Sequence, residues 1–203
     1  MAISYPLTIP TTPKFTSVEF TLAVQGTGSV TVFSGKRKIQ NYSRRFEFTA
    51  SLPAMEDEAA RVWLGFFAAL DGAGGTFTAG DPDYAGPYGV ATGTPLVDGA
   101  HTTRARTLET KGWTSSTADI LKAGDYIQLG DYMYMVALDV TSDSSGDATL
   151  EIFPELRTDV SDNTAITTAS PTTIFRMGSP NQSWLADSNG VYTLQFAAIE
   201  DLP

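Results

Sequence analysis

Residues 121–157, LKAGDYIQLGDYMYMVALDVTSDSSGDATLEIFPELR, carry the clearest structural signal in the chain. Apolar and polar positions alternate through Tyr126–Leu129 and again through Tyr132–Leu138. A third run, Ala148–Phe153, stops at Pro154. Gly130-Asp131 and Ser144-Ser145-Gly146-Asp147 lie between these runs, and such residues accept positive φ or bond their own backbone. The pattern predicts three antiparallel strands in a meander. No residue in the stretch points to catalysis.

The same β-alternation extends outward in both directions. Residues 15–33 alternate around Gly26-Thr27-Gly28, which reads as the turn of a hairpin, and Gln40–Ala50 reads as a further strand. Gly75–Ala79, Arg106–Gly112, Ile174–Met177 and Val191–Ile199 are also strand-like. One helix is predicted, Ala54–Leu70. Ala59, Val62/Trp63, Phe66 and Leu70 recur at helical spacing, Glu56, Asp57 and Glu58 crowd its first turn, and Gly72 stops it. Trp63, Phe66 and Phe67 at that spacing are core residues and not a ligand box. Residues 80–99 are dense in glycine and hold Pro82, Pro87 and Pro95, marking an irregular crossing. Residues 158–170 are polar with no periodic signal, and residues 1–13, with three prolines, read as an extended arm.

A final strand at residues 191–199 must pair with something, and the first segment alone is small for a free-standing core. We expect the chain end to return and complete it. Residues 1–83 and 172–203 then form one split domain with helix 54–70, and residues 84–171 form an inserted domain. The fold class is mainly β with one α-helix.

With 42% hydrophobic and 18% charged residues the chain can bury an ordinary core. It has no cysteine, so thiolate chemistry and disulfides are excluded. The net charge of −10 is unevenly placed: residues 1–111 hold ten basic and ten acidic residues, residues 112–203 three and thirteen. An acidic half opposes a phosphate-gripping role, which needs clustered cations. Five cations do cluster, Lys36, Arg37, Lys38, Arg44 and Arg45, at an expected hairpin tip. They read first as a solvated turn whose charged edge residues discourage strand addition, and second as a contact for an acidic protein partner ahead of phosphate. No apolar run approaches a membrane span, and no secretory signal is expected at the N-terminus.

Active-site patterns are missing. His101 is the single histidine, too few for a zinc site, and no Gly-x-Ser-x-Gly elbow accompanies it. Asp139, Asp143 and Asp147 surround Gly146, but an EF-hand register would put Ile152 at the bidentate position. Gly26-Thr27-Gly28 precedes no helix, and Gly35-Lys36 lacks the rest of a phosphate loop. Asp81 with Asp83 belongs to an Asp-Pro turn, and Glu151 with Glu155 has no distinguishing context. Catalytic, cofactor and metal sites are therefore all expected to be none.

Several features follow one another in a telling order. Lys122-Ala123-Gly124-Asp125 opens the meander, Tyr134-Met135-Val136 is its second strand, and Ser144-Ser145-Gly146 its hairpin. Ile152-Phe153-Pro154-Glu155-Leu156, Ile174-Phe175-Arg176 and Asn189-Gly190-Val191-Tyr192 come later. The helix, followed by Gly74-Gly75-Thr76-Phe77 and Asp81-Pro82, comes earlier. In this order the chain resembles the distal tail proteins of long-tailed, non-contractile bacteriophages (siphophages), in the variety with an inserted oligonucleotide/oligosaccharide-binding (OB)-like barrel. The resemblance implies a β-sandwich or barrel with one helix for residues 1–83 and 172–203, and a small OB-like β-barrel for the insert, residues 84–171. It implies a structural virion protein and not an enzyme, located at the phage tail tip after synthesis in the host cytoplasm. It implies a homo-hexameric ring joining the tail tube protein to the tail-tip hub or receptor-binding proteins. DNA would pass through the channel without specific binding, and no membrane would be involved. The acidic half adds a second hypothesis, that part of the channel is electronegative and lets DNA slide. The alternative is a carbohydrate-binding module in which Tyr126, Tyr132, Tyr134 and Trp113 of the inserted barrel stack on host glycans. A polysaccharide-degrading enzyme is the weakest reading.

Overall fold

A computed structural model describes residues 3–203. In chain order the elements are β1 (Leu7–Thr8), β2 (Ser17–Val30), β3 (Arg37–Ser51), α1 (Asp57–Ala69), β4 (Thr76–Ala79), β5 (Gly93–Val97) and β6 (Thr107–Trp113). Then follow β7 (Tyr126–Leu129), β8 (Tyr132–Val136), β9 (Ala148–Phe153), β10 (Thr173–Met177), β11 (Trp184–Ala186) and β12 (Tyr192–Glu200). The molecule is mainly β with one helix, and one of its two sheets is a half-barrel. The chain divides into two compact units, one of Pro10–Gly75 with Arg176–Glu200, the other of Thr76–Phe175 with the segment ending at Ile9 and Asp201–Pro203. The boundaries expected from sequence, 83/84 and 171/172, fall after β4 and just ahead of β10; the compact units divide at 75/76 and 175/176.

The unit around Thr76–Phe175 contains the meander. β7 pairs β8 and β8 pairs β9, both antiparallel, and the sheet continues through β6 to β5. The polar segment without periodicity joins the two edges of this sheet. The Ile166 N–H donates to the Pro95 carbonyl (3.0 Å) and the Val97 N–H to that of Thr164 (2.9 Å). On the other side Gln128 and Thr167 exchange both backbone bonds, at 2.8 and 3.0 Å. Residues 164–167 thus bridge the two edge strands, β5 and β7. Ile166 points into a core that also holds Leu108, Ile127, Val136, Leu150 and Ile152. In the same unit β1 pairs β4 in parallel, and Phe77 stacks on Phe175 at 6.2 Å.

In the other unit β12 pairs β3 antiparallel, with Phe196 opposite Ala50 and Ala198 opposite Phe48, and β2 forms the outer strand beside β3. β11 pairs the first residues of β12. Phe46, Phe48 and Ala50 of β3 and Leu194, Phe196 and Ala198 of β12 are the buried alternate residues of the pair, and Trp63 and Phe67 of α1 meet this face at Phe196. Trp63 is fully buried, its ring 5.6 Å from Phe15, 5.9 Å from Phe196 and 6.2 Å from Phe67. The helix is shorter than the expected Ala54–Leu70, and its buried stripe is Ala60, Trp63, Phe66 and Phe67. Val62, read as an alternative stripe position, is 53% exposed. Adjacent Val62 and Trp63 both fit the spacing, and the larger aromatic takes the interior because it removes more apolar area from water.

Candidate assembly surface

The hairpin of β2 and β3 is far longer than the sheet that holds it. β12 supports β3 only over Glu47–Ser51, and β2 has β3 as its one partner among the described residues. A buried carboxylate marks the end of that support. Glu200 continues the inward face of β12 but is 1% exposed, and it accepts the Phe46 N–H at 2.9 Å. The β12–β3 ladder runs as far as Ile199 opposite Glu47, so the carboxylate takes the donor that the next ladder position would have taken.

Beyond this root, among the described residues, the two strands pair in the sheet only with each other. Their register shifts between Gln25, opposite Ser43, and Gly26, opposite Asn41, which leaves Tyr42 as the extra residue of a β-bulge. Gly26-Thr27-Gly28 is therefore not the hairpin turn expected from sequence, because β2 runs through it to Val30. Glycine is needed at 26 for another reason: a Cβ there would lie 2.6 Å from both the Asn41 side-chain oxygen and the Gln40 carbonyl. The turn is Thr31–Lys36, closed by the Thr31 N–H to the Lys36 carbonyl (3.0 Å) and the Gly35 N–H to that of Thr31 (2.8 Å). Gly35 takes φ of 63° there.

This ribbon exposes apolar side chains along its length. Leu22, Val24, Val30, Ile39 and Tyr42 are all exposed, and at the tip Val32 is 93% and Phe33 100% exposed. Val30 lies opposite Arg37 and Gly28 opposite Ile39, so Val30, Arg37 and Ile39 share one face. The predicted basic cluster is split by the structure. Lys36, Arg37 and Lys38 sit at the tip, exposed. Arg44 and Arg45 lie nearer the root, half-buried, with the Arg45 guanidinium donating to Glu47 at 2.7 Å.

The other candidate residues make hydrogen bonds within the chain. Tyr126, Tyr134 and Trp113 are 7%, 1% and 4% exposed and Tyr132 is half-buried, so the four expected stacking aromatics form no open platform. The Tyr134 hydroxyl accepts the Arg157 N–H, and the Trp113 indole donates to Thr110. The Tyr84 hydroxyl accepts the Tyr126 N–H at 3.1 Å and donates to its carbonyl at 3.3 Å; burial pushes its pKa up to about 12. Asp125, fully buried, accepts backbone N–H groups from Tyr88 (2.7 Å), Gly89 (3.1 Å) and Lys122 (2.7 Å), tying the 87–89 loop to the start of the meander. His101 places Nε2 3.1 Å from the Asp98 carbonyl and 3.3 Å from the Glu109 nitrogen, a loop-fixing position.

Asp143 accepts from the Ser145 and Asp147 amides, which hold its carboxyl below the usual range, with the Asp147 amide contributing most. Asp139 accepts from Ala123, and Asp81 from Asp83 within its turn. Glu151 accepts the Thr107 hydroxyl, and Glu155 also has partners. Among the described residues no group of three or more His, Cys, Asp or Glu is placed to hold a metal ion. No protein-family model matches the chain, and no curated protein is detectably similar to it.

Proposed function

We propose that this chain is a structural protein of a phage tail tip, a distal tail protein whose copies form a ring between the tail tube and the receptor-binding apparatus. The observation that carries the reading is the two-stranded ribbon beyond the bulge. An isolated two-stranded hairpin is marginally stable in water at best. Here it carries a fully exposed phenylalanine and a row of exposed aliphatic residues, as surfaces built to be covered do. Among the described residues its outer strand β2 pairs only with β3, and the edge of a sheet is a template for strand addition by another chain. The ordered resemblance from the helix to the last strand supplies the biological setting. In it the ring is a hexamer, its neighbours are the tail tube and hub proteins, and DNA passes through a central channel. The acidic balance of residues 112–203 suits a passage in which DNA slides without being gripped.

Electron micrographs of the purified protein test this, together with its mass by analytical ultracentrifugation. Rings with a central hole, of six-subunit mass, are the expected result. A monomer at all concentrations that also fails to bind tail-tube or hub proteins would refute the reading.

A further inference from the structure

The unit that bears the hairpin also contains a groove of opposite character. Pro10, Thr11 and Thr12 run beside the start of α1, and with Glu56, Glu58, Ala59 and Val62 they line an open groove of about 500 Å³. Pro10, Ala59 and Val62 give it an apolar lining, and its charged side chains are two carboxylates with no cation among them. Glu56 occupies the N-cap position yet makes no capping hydrogen bond. Among the described residues neither Glu56 nor Glu58 has an ion-pair partner, whereas the intervening Asp57 is taken by Arg61 at 2.7 Å.

The hairpin tip is the converse surface. Val32 and Phe33 project from the turn, and Lys36, Arg37 and Lys38 follow within five residues, without ion-pair partners among the described residues. No acidic residue occurs between Glu19 and Glu47. Each surface thus lacks what the other supplies: an apolar knob with spare positive charge, and an apolar groove with spare negative charge.

We propose that the tip of one copy docks in this groove of a second copy, with Phe33 against Ala59 and Val62 and the tip cations facing Glu56 and Glu58. The inference rests on the ring reading and names the contact that builds the ring. Tip and groove are different patches of one molecule, so the contact is heterologous, and repeating it closes a ring wherever the rotation fits. The paired strands beyond the bulge, Gly26–Val30 with Arg37–Asn41, extend about 15 Å at ~3.3 Å per residue, which carries the tip away from its own root.

The cysteine-free chain makes the test direct. The full-length double variant Phe33→Cys/Val62→Cys is placed under mild oxidation where the wild type assembles, then run on a non-reducing denaturing gel. A ladder rising to the ring's subunit number is expected, at least tenfold stronger than from the control pair Phe33→Cys/Leu138→Cys. In a second arm, reversing Lys36, Arg37 and Lys38 to glutamate weakens assembly at least tenfold at low salt, and Glu56→Lys/Glu58→Lys in the same chain restores it. Wild-type rings with no 33–62 ladder and no charge-swap rescue would overturn this contact and leave the ring reading standing. Bands stopping at dimers would show tip-to-tip or groove-to-groove pairing and also overturn it. A wild type that forms no rings, with no 33–62 cross-link, would remove both.

Discussion

Replacing Gly26 with alanine separates the hairpin's distal ribbon from its root. The new Cβ would stand 2.6 Å from the Asn41 side-chain oxygen and 2.6 Å from the Gln40 carbonyl. The Asn41 side chain can rotate away, but the Gln40 oxygen is main chain, so the two strands must part at the bulge. Forcing extra volume into a tight contact costs about 1–3 kcal/mol. That is more than a two-stranded ribbon, marginal in water, can lose and stay formed. At 1.4 kcal/mol per tenfold, the paired fraction relative to the open one falls roughly 5- to 150-fold. The root is untouched, because Ser17–Gln25 still pairs with Ser43–Ser51 and β12 still flanks Glu47–Ser51.

Amide hydrogen exchange at a concentration where the protein is monomeric reads both parts at once. Amides of residues 26–30 and 37–41 are expected to lose whatever protection the ribbon gives them in Gly26→Ala and to exchange as in an open chain. Those of Phe48 and Phe196 keep theirs, and the thermal midpoint moves little. Assembly, if the ribbon mediates it, falls with the ribbon. Unchanged protection in the ribbon would refute the close-approach argument, and loss at Phe48 would show that root and ribbon are one cooperative unit.

Other substitutions test the interior. Asp125→Ala strands three N–H groups at a fully buried site, and with hydrogen bonds to a charged group worth about 1.5–3 kcal/mol each the loss should exceed about 3 kcal/mol in urea unfolding. Asp125→Asn should recover part of it. Trp63→Ala empties a fully buried indole site between Phe15, Phe67 and Phe196 and should cost about 3–5 kcal/mol by the same assay. For Tyr84, the native pKa near 12 lies above the ordinary 10.0. The folded protein keeps that proton where the unfolded chain loses it, so the group's stabilising contribution is full below pH 10 and lost as pH rises through 12. In a tyrosinate absorbance titration, Tyr84→Phe should lose one residue's worth of the absorbance that appears near pH 12.

The meander was legible because two local signals agree in it: alternation sets β7, β8 and β9, and turn residues fall between them. Alternation does not say how many sides of a strand are covered, however. Met133 and Tyr134 are adjacent and both buried, so aromatics that look like an exposed platform in sequence are interior. The bridge between β5 and β7 was not legible. Residues 164–167 have no pattern of their own and are held by partners at Pro95–Val97 and Gln128, so their extended state is set by tertiary pairing. Glycines 26 and 28 misled because turn and bulge both select glycine, and only the register with β3 tells them apart. The basic cluster was visible at once, but the groove was not, since it joins Pro10–Thr12 to side chains more than forty residues away.

The tip's composition also bears on why the contact should be head-to-tail. A protein guarding an exposed hairpin against self-association places charge there and keeps large apolar side chains away. This tip does the first and not the second, setting a fully exposed Phe33 beside Lys36, Arg37 and Lys38. Two tips meeting through their phenylalanines would bring both sets of cations within a Debye length, about 8 Å at physiological salt, where the repulsion is poorly screened. The cations therefore act against the symmetric dimer that the apolar knob alone would favour, and they leave an acidic-rimmed groove as the better partner. The consequence is an opposite salt dependence for the two contacts. Added salt should weaken the heterologous assembly and relieve the penalty on tip-to-tip dimers. A ring that instead grew more stable with salt would show that burial of Phe33 alone drives the contact and that the charges play no part in choosing it.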